Sequence, residues 1–85
     1  MLRELHPYYD RAKSFYGKAM VLHRDNVLTL YSYDTPVCEI RPKVGFIRLW
    51  NGWSVTTARH INEFRRQCAM TAICKSDWLA LPVED

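Results

Sequence analysis

The sequence predicts an α+β domain: a four-stranded antiparallel meander, one amphipathic helix packed on it, and a short C-terminal helix. Between Ser14 and Trp50, short runs rich in aromatic and β-branched residues alternate with turn-forming residues. From Ala58 onward the apolar residues return at helical rather than strand spacing. With 85 residues, of which 48% are hydrophobic, the chain can build one core and not two.

Residues 1–13 read as an irregular lead-in, because His6-Pro7 disfavours a helix through that point. Residues 14–85 then form the single domain. Its first strand is expected over Ser14–His23, with Gly17 marking a bulge or a close approach of backbone. Arg24-Asp25-Asn26 supplies a turn, since Asp and Asn tolerate left-handed backbone angles. Val27–Tyr33 is the clearest strand, and Asp34-Thr35-Pro36 breaks it. Val37–Arg41 and Phe46–Trp50 complete the sheet around the turn Pro42–Gly45.

Ser54, Thr56 and Thr57 are candidate caps for the principal helix, since a hydroxyl there accepts a free first-turn amide. Ala58, Ile61, Phe64, Cys68 and Ala72 form its apolar stripe, while Arg59, Asn62, Glu63, Arg65 and Arg66 mostly take the other surface. Ser76 can cap a last helix over Asp77–Leu81, stopped by Pro82 and packed down by Trp78, Leu79 and Leu81.

Composition removes several classes of function. Cys38, Cys68 and Cys74 make an odd count with no C-x-x-C pair, which fits a reducing cytoplasm better than a secreted disulfide scaffold. No apolar run is long enough to span a bilayer, and the first ten residues lack the apolar core of a signal peptide. The phosphate-loop, dinucleotide and zinc-protease motifs are missing. His6, His23 and His60 are widely spaced, so neither a metal nor another cofactor is expected. The Asp and Glu residues form no close pair suited to acid–base work, and no catalytic residue is assigned. Ser54–His60 could cradle a phosphate at a helix start, but its hydroxyls read first as caps and His60 as a hydrogen-bonded structural histidine.

Side chains alternate across a strand, which sorts the sheet into two faces. Leu28, Leu30, Cys38, Ile40, Ile47 and Leu49 form one apolar set, expected to meet Ile61, Phe64 and Cys68. The other set interleaves rings with cations: Tyr31, Tyr33, Arg41, Phe46, Arg48 and Trp50, joined by Lys18 if Gly17 allows. Such a face suits single-stranded nucleic acid, because bases stack on rings while cations follow the phosphates. An ordinary half-exposed sheet surface, a dimer interface and a docking face for another protein fit the same residues. The net charge of +3 is compatible with nucleic acid without selecting it.

Several segments in order carry a family resemblance: Lys13-Ser-Phe-Tyr-Gly-Lys-Ala19, Leu30-Tyr-Ser-Tyr-Asp-Thr35 with Val37, Leu49-Trp-Asn-Gly-Trp-Ser54, Thr56-Thr57 and Arg59-His-Ile-Asn-Glu-Phe64. Together they resemble a family of small, largely uncharacterised proteins carried by phages and mobile elements of gut Firmicutes. The resemblance implies a phage or prophage accessory protein acting in the bacterial cytoplasm, in company with anti-CRISPR and other counter-defence proteins. It implies no enzymatic activity. In topology alone, four strands and a helix resemble the single-stranded-DNA-binding fold of the transcriptional coactivator positive cofactor four. That fold is dimeric and is also attributed to a group of phage anti-CRISPR proteins. The expected partners are therefore nucleic acid or a host defence protein, with a second copy of the chain making a homodimer.

Overall fold

A computed structural model of the chain describes residues 1–84. Five strands run in chain order as an antiparallel meander: β1 (Leu2–Glu4), β2 (Ala19–Arg24), β3 (Val27–Ser32), β4 (Thr35–Arg41) and β5 (Gly45–Arg48). Helices α1 (Val55–Gln67) and α2 (Lys75–Ala80) follow. The strand beyond the expected four comes from the segment read as a lead-in. Leu2, Arg3 and Glu4 pair with Leu22, Val21 and Met20, and Leu5 is buried just after them.

The turns account for the other shifts in strand boundaries. Tyr16 and Gly17 both have positive φ (54° and 74°), so Ser14–Lys18 turns and β2 begins only at Ala19. Tyr33 and Asp34 (φ 50° and 65°) form a two-residue hairpin turn whose twist matches the flanking strands. Thr35 and Pro36 therefore belong to β4 rather than to a break. Pro36 is tolerated because it stands opposite Tyr31 and β5 does not reach its other side, so no ladder partner misses its amide.

The largest correction concerns β5. Its register pairs Arg48 with Cys38 and Phe46 with Ile40, and residues directly opposite share a face. Phe46 and Arg48 therefore lie on the helix side, whereas Ile47, opposite Glu39, lies on the far side. The sequence reading had these reversed. A one-residue difference in register exchanges every side chain of a strand, and the turn between Arg41 and Gly45, with Lys43 at φ 66° and Gly45 at φ 101°, sets that register.

The core gathers Leu5, Phe15, Ala19, Val21, Leu30, Val37 and Cys38 against Ile61 and Phe64 of α1 and Trp78 of α2. Helix α1 starts where Ser54 Oγ accepts the Thr57 amide at 3.1 Å. It ends short of the expected stripe residue Ala72. The Met70 amide donates to the Arg65 carbonyl and that of Ala69 to Arg66, a closure that puts Ala69 at φ 63°. Helix α2 begins after Cys74 rather than after Ser76, and the Trp78 indole donates to the Gly52 carbonyl at 2.8 Å. No helix among the described residues is long and apolar enough to cross a membrane.

Candidate nucleic-acid interface

The structure divides the seven expected contact residues among three places. Tyr31 and Arg41 lie on the sheet face away from the helices, where Tyr31 is half-buried opposite Met20. Arg41 is held by Glu84 and Glu39, and these hydrogen bonds, Glu84's first, raise its pKa. Phe46 and Arg48 lie beneath the helices. Phe46 packs under the Arg65 guanidinium, 4.4 Å from its ring centre, and beside Trp78.

Arg48 is only 5% exposed and is a correction to the reading of it as a phosphate contact. Its guanidinium donates to the carbonyls of Trp50, Asn51 and Leu81 at 2.9 Å each, and to that of Leu79 at 3.3 Å. It therefore joins the end of β5 to α2, with four of its five N–H donors committed to carbonyls. Tyr33, Trp50 and Lys18 form the third group. Tyr33 and Trp50 line one cleft beside the start of α1, and the Lys18 ammonium stands 6.0 Å from the Tyr33 ring centre.

Residues that the sequence reading passed over extend this third group. The segment Pro7–Lys18 lies along α1, held at several points. The buried Glu63 carboxylate accepts the amides of Tyr9 (2.9 Å) and Asp10 (2.8 Å) and the Gln67 side-chain amide (2.7 Å). Burial by itself would raise the Glu63 pKa. Donation from Gln67 and the backbone amides of Asp10, Tyr8 and Tyr9 overcomes it, and the carboxyl sits below its ordinary value.

Asp10 pairs with Arg59 and accepts the Ala12 amide at 2.9 Å. Its pKa falls to about 2, chiefly through the Arg59 hydrogen bond. Further along, Phe15 packs edge-on against His60, with ring centres 4.6 Å apart. His60 is buried, and its Nδ1 shares a 2.8 Å hydrogen bond with Ser32 Oγ, which also meets Thr57 Oγ1 at 3.0 Å. Burial, helped by the neighbouring Arg59, lowers the His60 pKa and favours the neutral ring.

This scaffold leaves tyrosines standing out from an ordered backbone. Tyr8 is 84% exposed, Tyr16 80% and Tyr33 53%, and Tyr9 is also exposed. The Arg66 guanidinium lies 5.9 Å from the Tyr9 ring centre, and Arg11, Lys13 and Lys18 are exposed between the tyrosines. Among the described residues the ion pairs involve Arg41 and Arg59, so these four cations are not neutralised by a carboxylate. The interleaving was visible in the sequence as Tyr8, Tyr9, Arg11, Lys13, Tyr16, Lys18, once the lead-in is taken as structured.

Other chemistry is sparse. No group of three His, Cys, Asp or Glu residues among those described could hold a metal ion. The three cysteines are free, and burial pushes the Cys38 and Cys68 thiols up.

No match is found among curated proteins, and none among solved structures. Residues 3–80 match the model of a family of unknown function, so the match takes in β2 to β5, both helices and all of β1 but its first residue. The chain belongs to that family, DUF8033.

Proposed function

We propose that this protein is a binding protein rather than an enzyme, and that it holds single-stranded nucleic acid along the strip from Tyr8 to Tyr33. The observation that carries this is the alternation of exposed rings, Tyr8, Tyr9, Tyr16 and Tyr33, with the unpaired cations Arg11, Lys13, Lys18 and Arg66. Rings of this kind stack bases without regard to sequence, and the cations follow the phosphates. The biological setting we propose is a phage or mobile-element accessory protein that occupies nucleic acid needed by a host defence system. The motif resemblance supports that setting.

Fluorescence anisotropy with labelled single-stranded DNA, single-stranded RNA and duplex at two salt concentrations tests the reading. For single strands the salt slope is about −0.7 per phosphate neutralised, so Lys18→Glu with Arg66→Glu is expected to flatten it by roughly 1.4. Replacing Tyr8 or Tyr16 with alanine is expected to weaken binding by about 1–3 kcal/mol each without changing the slope. Failure of the parent protein to bind any of the three at low salt sinks the proposal. A protein-binding inhibitor of a defence nuclease then becomes the better reading.

A second reading concerns the sheet face opposite the helices, where Leu2, Met20, Leu22 and Tyr31, with Asp34 at the same depression, line a shallow hollow of about 320 Å³. We propose that two copies meet there as a homodimer, because a small domain gains core by pairing. Light scattering on the parent and on Leu22→Glu tests it. A monomer at every concentration rules it out.

A further inference from the structure

Between the β3–β4 turn and the start of α1 lies an open, shallow cleft of about 430 Å³, within the volume range of small-ligand sites. Two rings line it, Tyr33 from the turn and Trp50 from the chain beyond β5. Both are held in place. Tyr33 is fixed by its positive φ of 50° and by its position over His60, with ring centres 5.8 Å apart. Trp50 lies so close on Gly52 that a Cβ there would come within 2.5 Å of the indole.

The polar side-chain groups of the lining are hydroxyls and the Trp50 indole N–H. Ser32 and Thr57 are buried and already satisfied by each other and by His60. Thr35 and Thr56 are exposed and can turn their hydroxyls toward a ligand as donor or acceptor, whereas Ser54 Oγ is held as the cap of α1. No lining residue is charged, so the cleft does not select an anion, and the amide of Thr57 is already taken by Ser54. Its chemistry suits a flat, neutral, polar group that can stack and form hydrogen bonds at its edge. A hydrocarbon ring would leave the hydroxyls without use.

Just outside the lining, the Lys18 ammonium lies over the Tyr33 ring. A cation 6.0 Å from one ring of an uncharged cleft suits a nucleotide, whose base would meet the rings and whose phosphate would meet the ammonium. We infer that this cleft takes one unstacked nucleobase, stacked on Tyr33 or Trp50 and read at its edge by Thr35 and Thr56, with Lys18 on the adjoining phosphate. The inference rests on the nucleic-acid reading and gives it a base-selecting pocket.

Free nucleosides separate the two. In amide and indole NMR spectra of the whole protein, millimolar thymidine, cytidine, adenosine and guanosine are titrated singly, with inorganic phosphate and N-acetyltyrosine amide as controls. The expected result is shifts at Thr35, Thr56 and the Trp50 indole with at least one nucleoside and with neither control. Thr35→Val with Thr56→Val, both at exposed positions, is expected to weaken binding of an oligonucleotide of the preferred base about fivefold or more per lost hydrogen bond. Its salt slope should stay unchanged. Oligonucleotide binding with shifts confined to Tyr8–Tyr16 and Arg66, and none from nucleosides, overturns the pocket and leaves the strip standing. Shifts at the cleft with N-acetyltyrosine amide alone overturn it in favour of a protein side chain. Nucleoside shifts at the cleft without any oligonucleotide binding retain the pocket and remove the strip.

Discussion

Replacing Arg48 with methionine keeps most of the aliphatic stem while deleting the guanidinium that donates to four carbonyls. Three of those bonds are 2.9 Å long, and the fourth, at 3.3 Å, contributes little. Hydrogen bonds from a charged donor contribute about 1.5–3 kcal/mol each. Part of that offsets the cost of taking the guanidinium out of water, and the exposed Asn51 and Leu79 can turn to water once it is gone. About 1 kcal/mol for each short bond remains, or about 3 kcal/mol in total. A chain of 85 residues has a total stability of about 4–13 kcal/mol, so this is a large share. In a domain of this size it corresponds to a fall in melting temperature of about 12–24 °C. Thermal and urea unfolding followed by circular dichroism measure it, with anisotropy on single-stranded DNA performed well below the melting point. The reasoning fails if Arg48→Met melts within about 5 °C of the parent while the salt slope of DNA binding flattens. That result would put the guanidinium on a phosphate.

Three further perturbations test other parts of the fold. Ala69 sits at φ 63° in the helix closure, where glycine has no Cβ penalty, so Ala69→Gly is expected to stabilise the protein by about 1 kcal/mol in urea unfolding; a loss of stability contradicts the geometry. Gly52→Ala places a Cβ 2.5 Å from Trp50, so the indole must move, at a cost of about 1–3 kcal/mol and with a change in tryptophan emission; unchanged melting and emission would show that the indole is not held there. Asp10, depressed from 3.8 to about 2, stabilises the fold above its ordinary value and loses that contribution as pH falls through about 2. Glu63 acts in the same direction, so amide exchange at Tyr9, Asp10 and Ala12, corrected for the intrinsic rate, is expected to accelerate between about pH 4 and pH 2. Flat protection across that interval refutes the tether. Arg59 is half exposed, so salt weakens the Asp10 share.

What the sequence made legible was whatever rests on local periodicity. Leu28 with Leu30, and Cys38 with Ile40, share the helix side as their alternation requires, and Ser54 followed by Ala58, Ile61 and Phe64 places α1. The face of β5 depends instead on the turn before it. The apolar character of Ile47 suggested the core, whereas the register put Arg48 there. Nothing in a pattern of apolar residues announces a buried arginine satisfied by carbonyls. The Tyr33-Asp34 turn was hidden for a similar reason, since tyrosine is a strand former and rarely adopts positive φ. Strand β1 spans three residues, too few to show a period, and its existence follows from pairing with β2. The candidate site was partly legible: Lys18, Tyr33 and Trp50 fall together, but for reasons of turn geometry rather than of a shared sheet face.

The way the lead-in is fastened bears directly on binding. Tyr8, Tyr9 and Tyr16 gain no core contacts from their exposure, yet the backbone that carries them is ordered by Glu63, by Gln67 donating to the His6 carbonyl, and by the Asp10–Arg59 pair. Rings presented from a fixed backbone lose less conformational entropy when bases stack on them, so under the proposed function the tether would add to affinity without touching the ligand. Leu5 and Phe15, at the two ends of this segment, belong to the core, while Tyr9 and Asp10 between them are held by Glu63 and Arg59; Val21, Leu30, Cys38, Ile61 and Phe64 hold the sheet to α1 without those two contacts. Glu63→Gln, which removes the charge that receives the Tyr9 and Asp10 amides, is expected to loosen the strip and weaken single-strand binding while the sheet and α1 stay folded. Loss of binding only in step with global unfolding would mean that the Glu63 tether does not act on the strip separately from the core.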